Sequence, residues 1–201
     1  MLRYMWDTAN IITMFGIVCS ALAINFALAG SLEFAVSLAL ISMLADQVDG
    51  LVARTAKGRN ADVARMGKSL DGFADVIYGA IFPAIAVMTL QKGAAIAPAL
   101  GIVLLLAGTI RLSYFENFGL SPDGKFLGVP LSYDVPVLAV LLLLRPVLGV
   151  NFLPLVAASF LILACLHVAP IRVRSPTKIM YYGIVAFCLV VSPALMVAGL
   201  N

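Results

Sequence analysis

The chain has 201 residues, 63% hydrophobic and 11% charged, with 13 Lys and Arg against 10 Asp and Glu and a net charge of +3; its mean hydropathy is +1.08. Soluble domains run about 45–50% apolar and about 25% charged, so a water-soluble globule is excluded and lipid must be the solvent. The small, dispersed positive charge argues against a nucleic-acid partner, and no Cys/His cluster has the spacing of a zinc site.

In chain order, residues 1–7 (MLRYMWD) read as a short interfacial helix with Tyr4 and Trp6 at headgroup level. No basic region leads into a short apolar stretch and a small-residue cleavage site, so a cleavable signal peptide is not expected. Apolar runs between Gly, Pro and charged breaks then predict spans near 9–29, 32–56, 68–91, 94–116, 129–148, 152–170 and 178–199, each close to the ~20 residues a bilayer crossing needs. The fold class is all-α: a polytopic membrane bundle of six to seven transmembrane helices, read as one domain over 1–201. The break between the fifth and sixth spans is the weakest, because Arg145-Pro146 and Pro154 interrupt it. Cys19, Cys165 and Cys188 all lie in apolar runs and are read as small buried hydrophobes.

Short connections make neighbouring spans antiparallel, and the basic residues orient them. Arg3, the stretch from Arg54 to Lys68, Arg111, Lys125, Arg172, Arg174 and Lys178 fall at one set of span ends, whereas Lys92 and Arg145 are alone at the other. Basic loops stay in the cytoplasm, so the first set is assigned to the inside. With seven spans Asn201 lies outside; with six it returns to the cytoplasm.

Four of the ten acidic residues crowd into one region. Asp46 and Asp49 end the second span, and Asp71 and Asp75 open the third. Carboxylates at membrane depth are expensive unless paired, hydrated or bound to a cation. Spacings of three and four put each pair on one helix face, and the two helices meet on the cytoplasmic side, so the four converge on one pocket. Like charges that close repel strongly. Hard divalent cations relieve this, because oxygen-only ligands suit Mg²⁺, Mn²⁺ or Ca²⁺, and a carboxylate-bridged metal pair is a device for phosphoryl chemistry. Gly50 and Ala53 leave room for a ligand against the helix backbone, and Arg54 follows Asp46 by eight residues on nearly the same face, where it can pair with a carboxylate or phosphate. Salt bridging of the aspartates by Arg54, Arg65 or Lys68 is the plainer reading, and four converging carboxylates weigh against it.

These residues carry a resemblance. Asp46-x2-Asp49-Gly50-x2-Ala53-Arg54, followed by Gly67-x3-Asp71-x3-Asp75, resembles the signature of the CDP-alcohol phosphotransferases, eight fixed residues in register across 30 positions. Twelve residues separate Arg54 from Gly67 where the family has eight, an insertion assigned to the loop around TAKGRNADVARM. The resemblance implies a membrane enzyme that transfers a phosphatidyl-type group from a CDP-linked lipid to a small alcohol, with two divalent ions (Mg²⁺ or Mn²⁺, Ca²⁺ as a bound or inhibitory alternative) and a homodimeric assembly. It implies Asp46, Asp49 and Asp71 as ligands of one metal and Asp46, Asp71 and Asp75 of the other, with Asp75 also the catalytic base. Gly50, Ala53, Arg54 and Gly67 would border the CDP moiety. Asn10-Ile11-Ile12-Thr13 resembles the family's N-x-x-T near the nucleotide; a helix N-cap explains it equally well.

Later segments resemble the family's bacterial and archaeal serine-specific branch: Arg111-Leu112 with Phe115, Gly128-Val129-Pro130, and Leu166 to Arg172 with Ser175 and Lys178. The likeness covers most of 7–180 and implies the cytoplasmic membrane of a prokaryote, with L-serine as acceptor ahead of inositol phosphate, glycerol phosphate, choline or another polyol. Four departures stand out: Tyr114 stands in place of an arginine, His167 and Ala169 in place of methionine and serine, and Asp134 where the resembled branch is apolar. Arg111, Lys125, Arg172 and Lys178 are candidates for the acceptor or the lipid phosphate, with positive-inside topology as the competing explanation. Arg174 lies on the same side. Ser132, Tyr133 and Asp134 are candidates for holding an ammonium group. His167, the single histidine, is read as structural or interfacial, since Asp75 already fills the base role. A transporter or channel is the alternative class, but it would place carboxylates near the midplane and show an internal repeat.

Overall fold

The computed structural model describes residues 1–200. A single 3₁₀ turn, Leu2–Tyr4, leads into α1 (Thr8–Leu28), whose N-cap is Asp7. There follow α2 (Leu32–Thr55), α3 (Ala61–Val76) continuing through a π-turn into α4 (Phe82–Leu90), α5 (Ala97–Phe118), α6 (Asp134–Leu148), α7 (Phe152–Val168) and α8 (Lys178–Ala198). The interfacial piece expected at the N-terminus is thus one 3₁₀ turn, with Trp6 82% exposed.

Six helical segments are long and apolar enough to cross a membrane. One of them, Leu131–Val168, folds back on itself at Gly149, whose φ of +51° suits a residue without a side chain. Its two ends meet: Val129 N–H donates to Leu166 O at 3.0 Å, and Asp134 touches His167. The chain therefore makes seven antiparallel passes. Beside Gly149, Arg145 pairs with Glu33 at 3.7 Å, and Gly199 packs against Glu33 and Phe34, so α8 ends on that same face. The expectation for Asn201 lies outside the described residues.

The third pass begins seven residues earlier than hydropathy suggests, capped by Asn60, whose side chain accepts from Asp62 N and Val63 N. Its π-turn, Ile77–Ile81, has a sequence cause. Pro83 lacks the N–H that would reach Gly79, and Phe82 N–H instead bonds Ile77 O. The turn follows directly on Asp75.

Two short strands were not expected from an all-α reading. β1 (Lys125–Leu127) and β2 (Arg172–Arg174) pair antiparallel, Phe126 opposite Val173, and join the α5–α6 and α7–α8 connections over one end of the bundle. Only tertiary folding brings these three-residue segments together.

Small residues let α1 and α2 approach closely, as membrane helices require without a hydrophobic drive between them. A Cβ on Gly16 would stand 3.3 Å from that of Ala45. Ser42 donates to Gly16 O at 2.8 Å and pairs with Ser20 at 2.7 Å. Ser37 ties α2 to α8 through Ser192 O. Cys19 and Cys188 are buried as anticipated; Cys165 is exposed on the outer surface of α7.

Candidate active site

The last turns of α2 and the last turns of α3 meet on the side of the bundle from which Arg174 of β2 reaches the cavity. Carboxylate oxygens of Asp46, Asp49 and Asp71 all lie within 4.8 Å of one another. Asp49 is buried and accepts a short hydrogen bond from the Thr13 hydroxyl of α1. Tyr78, 2% exposed, donates from its hydroxyl to Asp46 Oδ2 at 3.1 Å. Asp75 lies outside that triad and lines, together with Asp46 and Tyr78, a cavity of about 540 Å³.

The cavity is walled by α2 through Met43 and Gln47, α5 through Arg111 and Phe115, the segment Pro130 to Tyr133 before α6, Arg174 of β2, and Tyr181 and Phe187 of α8. Arg111 is only 7% exposed and stacks over Phe115 and Phe126, 5.4 and 5.5 Å from the ring centroids. Among the described residues it forms no salt bridge, and its Nε has no hydrogen-bond partner. Gln47 Oε1 is likewise buried and unpartnered. The wall thus offers a buried cation whose Nε has no hydrogen-bond partner and a neutral acceptor oxygen likewise without one.

The other candidates are placed as follows. Gly50, Ala53 and Arg54 continue α2 beyond the aspartates; Arg54 is exposed, its Nε donating to Gly50 O at 2.9 Å. Asn10 is buried and fully engaged: its Nδ2 donates to Tyr4 O and Val63 O, and its Oδ1 accepts from Arg59 at 2.7 Å. It sits inside α1, so the N-cap reading of that motif passes to Asp7. A Cβ at Gly67 would come within 2.3 Å of Asn10 Oδ1, so this glycine permits the α1–α3 contact. Lys125 and Arg172 both turn to Asp123, at 2.9 and 3.5 Å, and Lys178 is exposed at the start of α8; none of the three lines the cavity. Asp134 turns away from it to His167, whereas Ser132 and Tyr133 line it.

Asp123 is exposed, and its carboxyl is held down at about 2, by the Ser121 hydroxyl first and by Lys125 next. It is a surface clasp beside β1 and does not line the cavity.

Two features of the site escape motif reading. Tyr78 is detectable in principle, three residues after Asp75 on the same face. Arg59 comes from the longer loop after Arg54; it pairs with Asp7 at 2.7 Å and packs over Gly67.

Three oxygen donors within 4.8 Å, with no nitrogen or sulfur among them, make a cluster suited to a hard divalent cation. The fold and this site define an integral membrane protein with an acidic cluster able to hold a cation at one end of a helix bundle. The chain belongs to the CDP-alcohol phosphatidyltransferase family, whose model matches residues 6–200. It is similar to the archaetidylserine synthase of Methanothermobacter thermautotrophicus, 34% identical over 133 residues covering 65% of this chain and 54% of the relative. It is also similar to the CDP-diacylglycerol–serine O-phosphatidyltransferase of Bacillus subtilis, 31% identical over 139 residues covering 65% of this chain and 72% of the relative. The match therefore spans about half the length of the archaeal relative.

Proposed function

We propose that the protein transfers the phosphatidyl group of a CDP-linked lipid to the hydroxyl of L-serine and releases CMP, with the site facing the cytoplasm from a prokaryotic inner membrane. The observation that carries this reading is the junction of the acidic triad with the 540 Å³ cavity. Asp46 belongs to both, so a diphosphate at the triad and an alcohol in the cavity would be neighbours. The serine-specific names of both relatives support the acceptor. So does the buried guanidinium of Arg111, whose Nε has no hydrogen-bond partner and whose fork suits an α-carboxylate.

Asp46, Asp49 and Asp71, with Asp75 completing a second ligand set, would hold two divalent ions, Mg²⁺ or Mn²⁺. When bound, such ions neutralise the diphosphate and stabilise the charge that develops during transfer. Thr13 and Tyr78 aim the carboxylates of Asp49 and Asp46. Gly50, Ala53 and Arg54 border the departing CMP, Arg54 facing its charge. Asp75 takes the acceptor's hydroxyl proton. The acceptor oxygen bonds to the phosphorus that carries the lipid glycerol as that phosphorus loses its bond to CMP. Direct transfer is part of the proposal, since no Ser/His or Cys/His pair lines the cavity. The aromatic and aliphatic walls exclude water, which would otherwise compete for the phosphatidyl group. A homodimer is part of the proposal through the family alone.

The test is CMP release from a CDP-lipid by the purified protein with Mg²⁺ or Mn²⁺, scanning serine, glycerol phosphate, inositol phosphate and choline. Serine alone should support turnover, and Asp46→Ala should abolish activity and metal binding together. Turnover with another acceptor instead of serine would overturn the specificity; metal binding unchanged by Asp46→Ala would overturn the site.

A further inference from the structure

Asp134, at the start of α6, and His167, near the end of α7, touch in the fold. His167 Nε2 lies 3.0 and 3.2 Å from the two Asp134 oxygens, and the side chains are 0% and 3% exposed. The other ring nitrogen, Nδ1, is 2.8 Å from the carbonyl of Val129. A carbonyl only accepts, so Nδ1 carries a hydrogen. The proton between Nε2 and the carboxyl is then shared, and the pair is neutral as a unit in either arrangement. That neutrality makes an ionisable pair tolerable at this depth.

The geometry points to a positioning role for this pair: Asp134 and His167 hold the segment 128–133 in place as one wall of the acceptor cavity. This inference rests on the reading of the cavity as the acceptor site. The segment runs flush against the end of α7. Gly128, at φ +74°, would place a Cβ 2.0 Å from His167 O, and its N–H donates to Ile171 O at 2.9 Å. Immediately after Val129, Pro130 to Tyr133 face the cavity. His167 therefore grips the backbone on one side of the wall while Asp134 anchors the first turn of α6 on the other. Neither side chain reaches the cavity itself. A pair serving only to join α6 to α7 would need the Nε2–Asp134 contact; a wall anchor needs the Nδ1–Val129 contact as well.

That difference sets the experiment, done on the full chain in lipid nanodiscs. Asp134→Leu with His167→Met removes both polar contacts and leaves the site filled with apolar side chains. We expect the KM for serine to rise about tenfold, the worth of one buried hydrogen bond, with the KM for CDP-lipid within about twofold of the parent. Backbone amide exchange over residues 125–133, reporting the Gly128 and Val129 N–H bonds, should quicken about tenfold. Asp134→Leu with His167→Asn restores a donor where Nδ1 sits and should return both readings toward the parent. Unchanged exchange in the Leu/Met variant, or no recovery in the Leu/Asn variant, overturns the inference. If the unaltered protein fails to release CMP with any acceptor, the enzymatic reading falls, and the exchange measurements still decide whether the pair anchors the wall.

Discussion

Replacing Tyr78 by phenylalanine removes one oxygen from the site and nothing else. The ring keeps its volume, so the core around the π-turn need not collapse. What disappears is the 3.1 Å hydrogen bond to Asp46 Oδ2. A hydrogen bond to a charged acceptor contributes about 1.5–3 kcal/mol, which is about 10–100-fold in an equilibrium constant. Loss of an outer partner of a metal-ligating group costs about 10–100-fold by independent reckoning. The half-saturating Mg²⁺ concentration for CMP release should therefore rise by about 10–100-fold, with most of the maximal rate recovered at saturating metal. A second assay needs no turnover. Magnesium at about 100 times its dissociation constant stabilises the parent protein by about 2.7 kcal/mol, and a tenfold weaker site retains about 1.4 kcal/mol. The Mg²⁺-induced rise in melting temperature should accordingly shrink by about half or more. Identical magnesium titrations and identical thermal shifts in parent and variant would refute the assignment of Asp46 and its tyrosine partner to the cation centre.

Other perturbations reach different parts of the site. Asp75→Asn should eliminate CMP release while leaving CDP-lipid binding largely intact, and near-normal turnover would remove Asp75 from the base role. Gly67→Ala drives a methyl to 2.3 Å from Asn10 Oδ1 and 2.7 Å from Arg59 Nη2. Overpacking of this kind costs about 1–3 kcal/mol, seen as a lower melting temperature of the purified protein. Asp123 has a folded carboxyl near 2, below its unfolded value. Its clasp on β1 is therefore fully present above the ordinary carboxylate range and is lost as pH falls through about 2. Exchange of the β1–β2 amides should be indifferent to pH-dependent loosening around neutrality and should speed up in Asp123→Asn at neutral pH; slower or equal exchange in that variant would count against the clasp.

Much of this protein follows from its sequence alone. Apolar runs of membrane length place the passes, because a chain in lipid must satisfy its backbone within each helix. The spacing of Asp46, Asp49, Asp71 and Asp75 puts them at facing helix ends, because 3.6 residues per turn leave little freedom over so short a reach. Only the tertiary structure decides the rest. Asp46, Asp49 and Asp71 form the triad while Asp75 lines the cavity beside Asp46 and Tyr78, a division set by how α2 and α3 pack. Lys125 and Arg172, candidates by their charge, instead face Asp123 across the paired strands, while Arg174 on the same short strand reaches the cavity. Asp134 and His167, 33 residues apart, meet because α6 and α7 form a hairpin, a pairing that neither residue's position in the sequence announces. Periodicity records which residues share a helix face; which distant faces meet depends on packing among all the helices at once, and that information is not local to any segment of the chain.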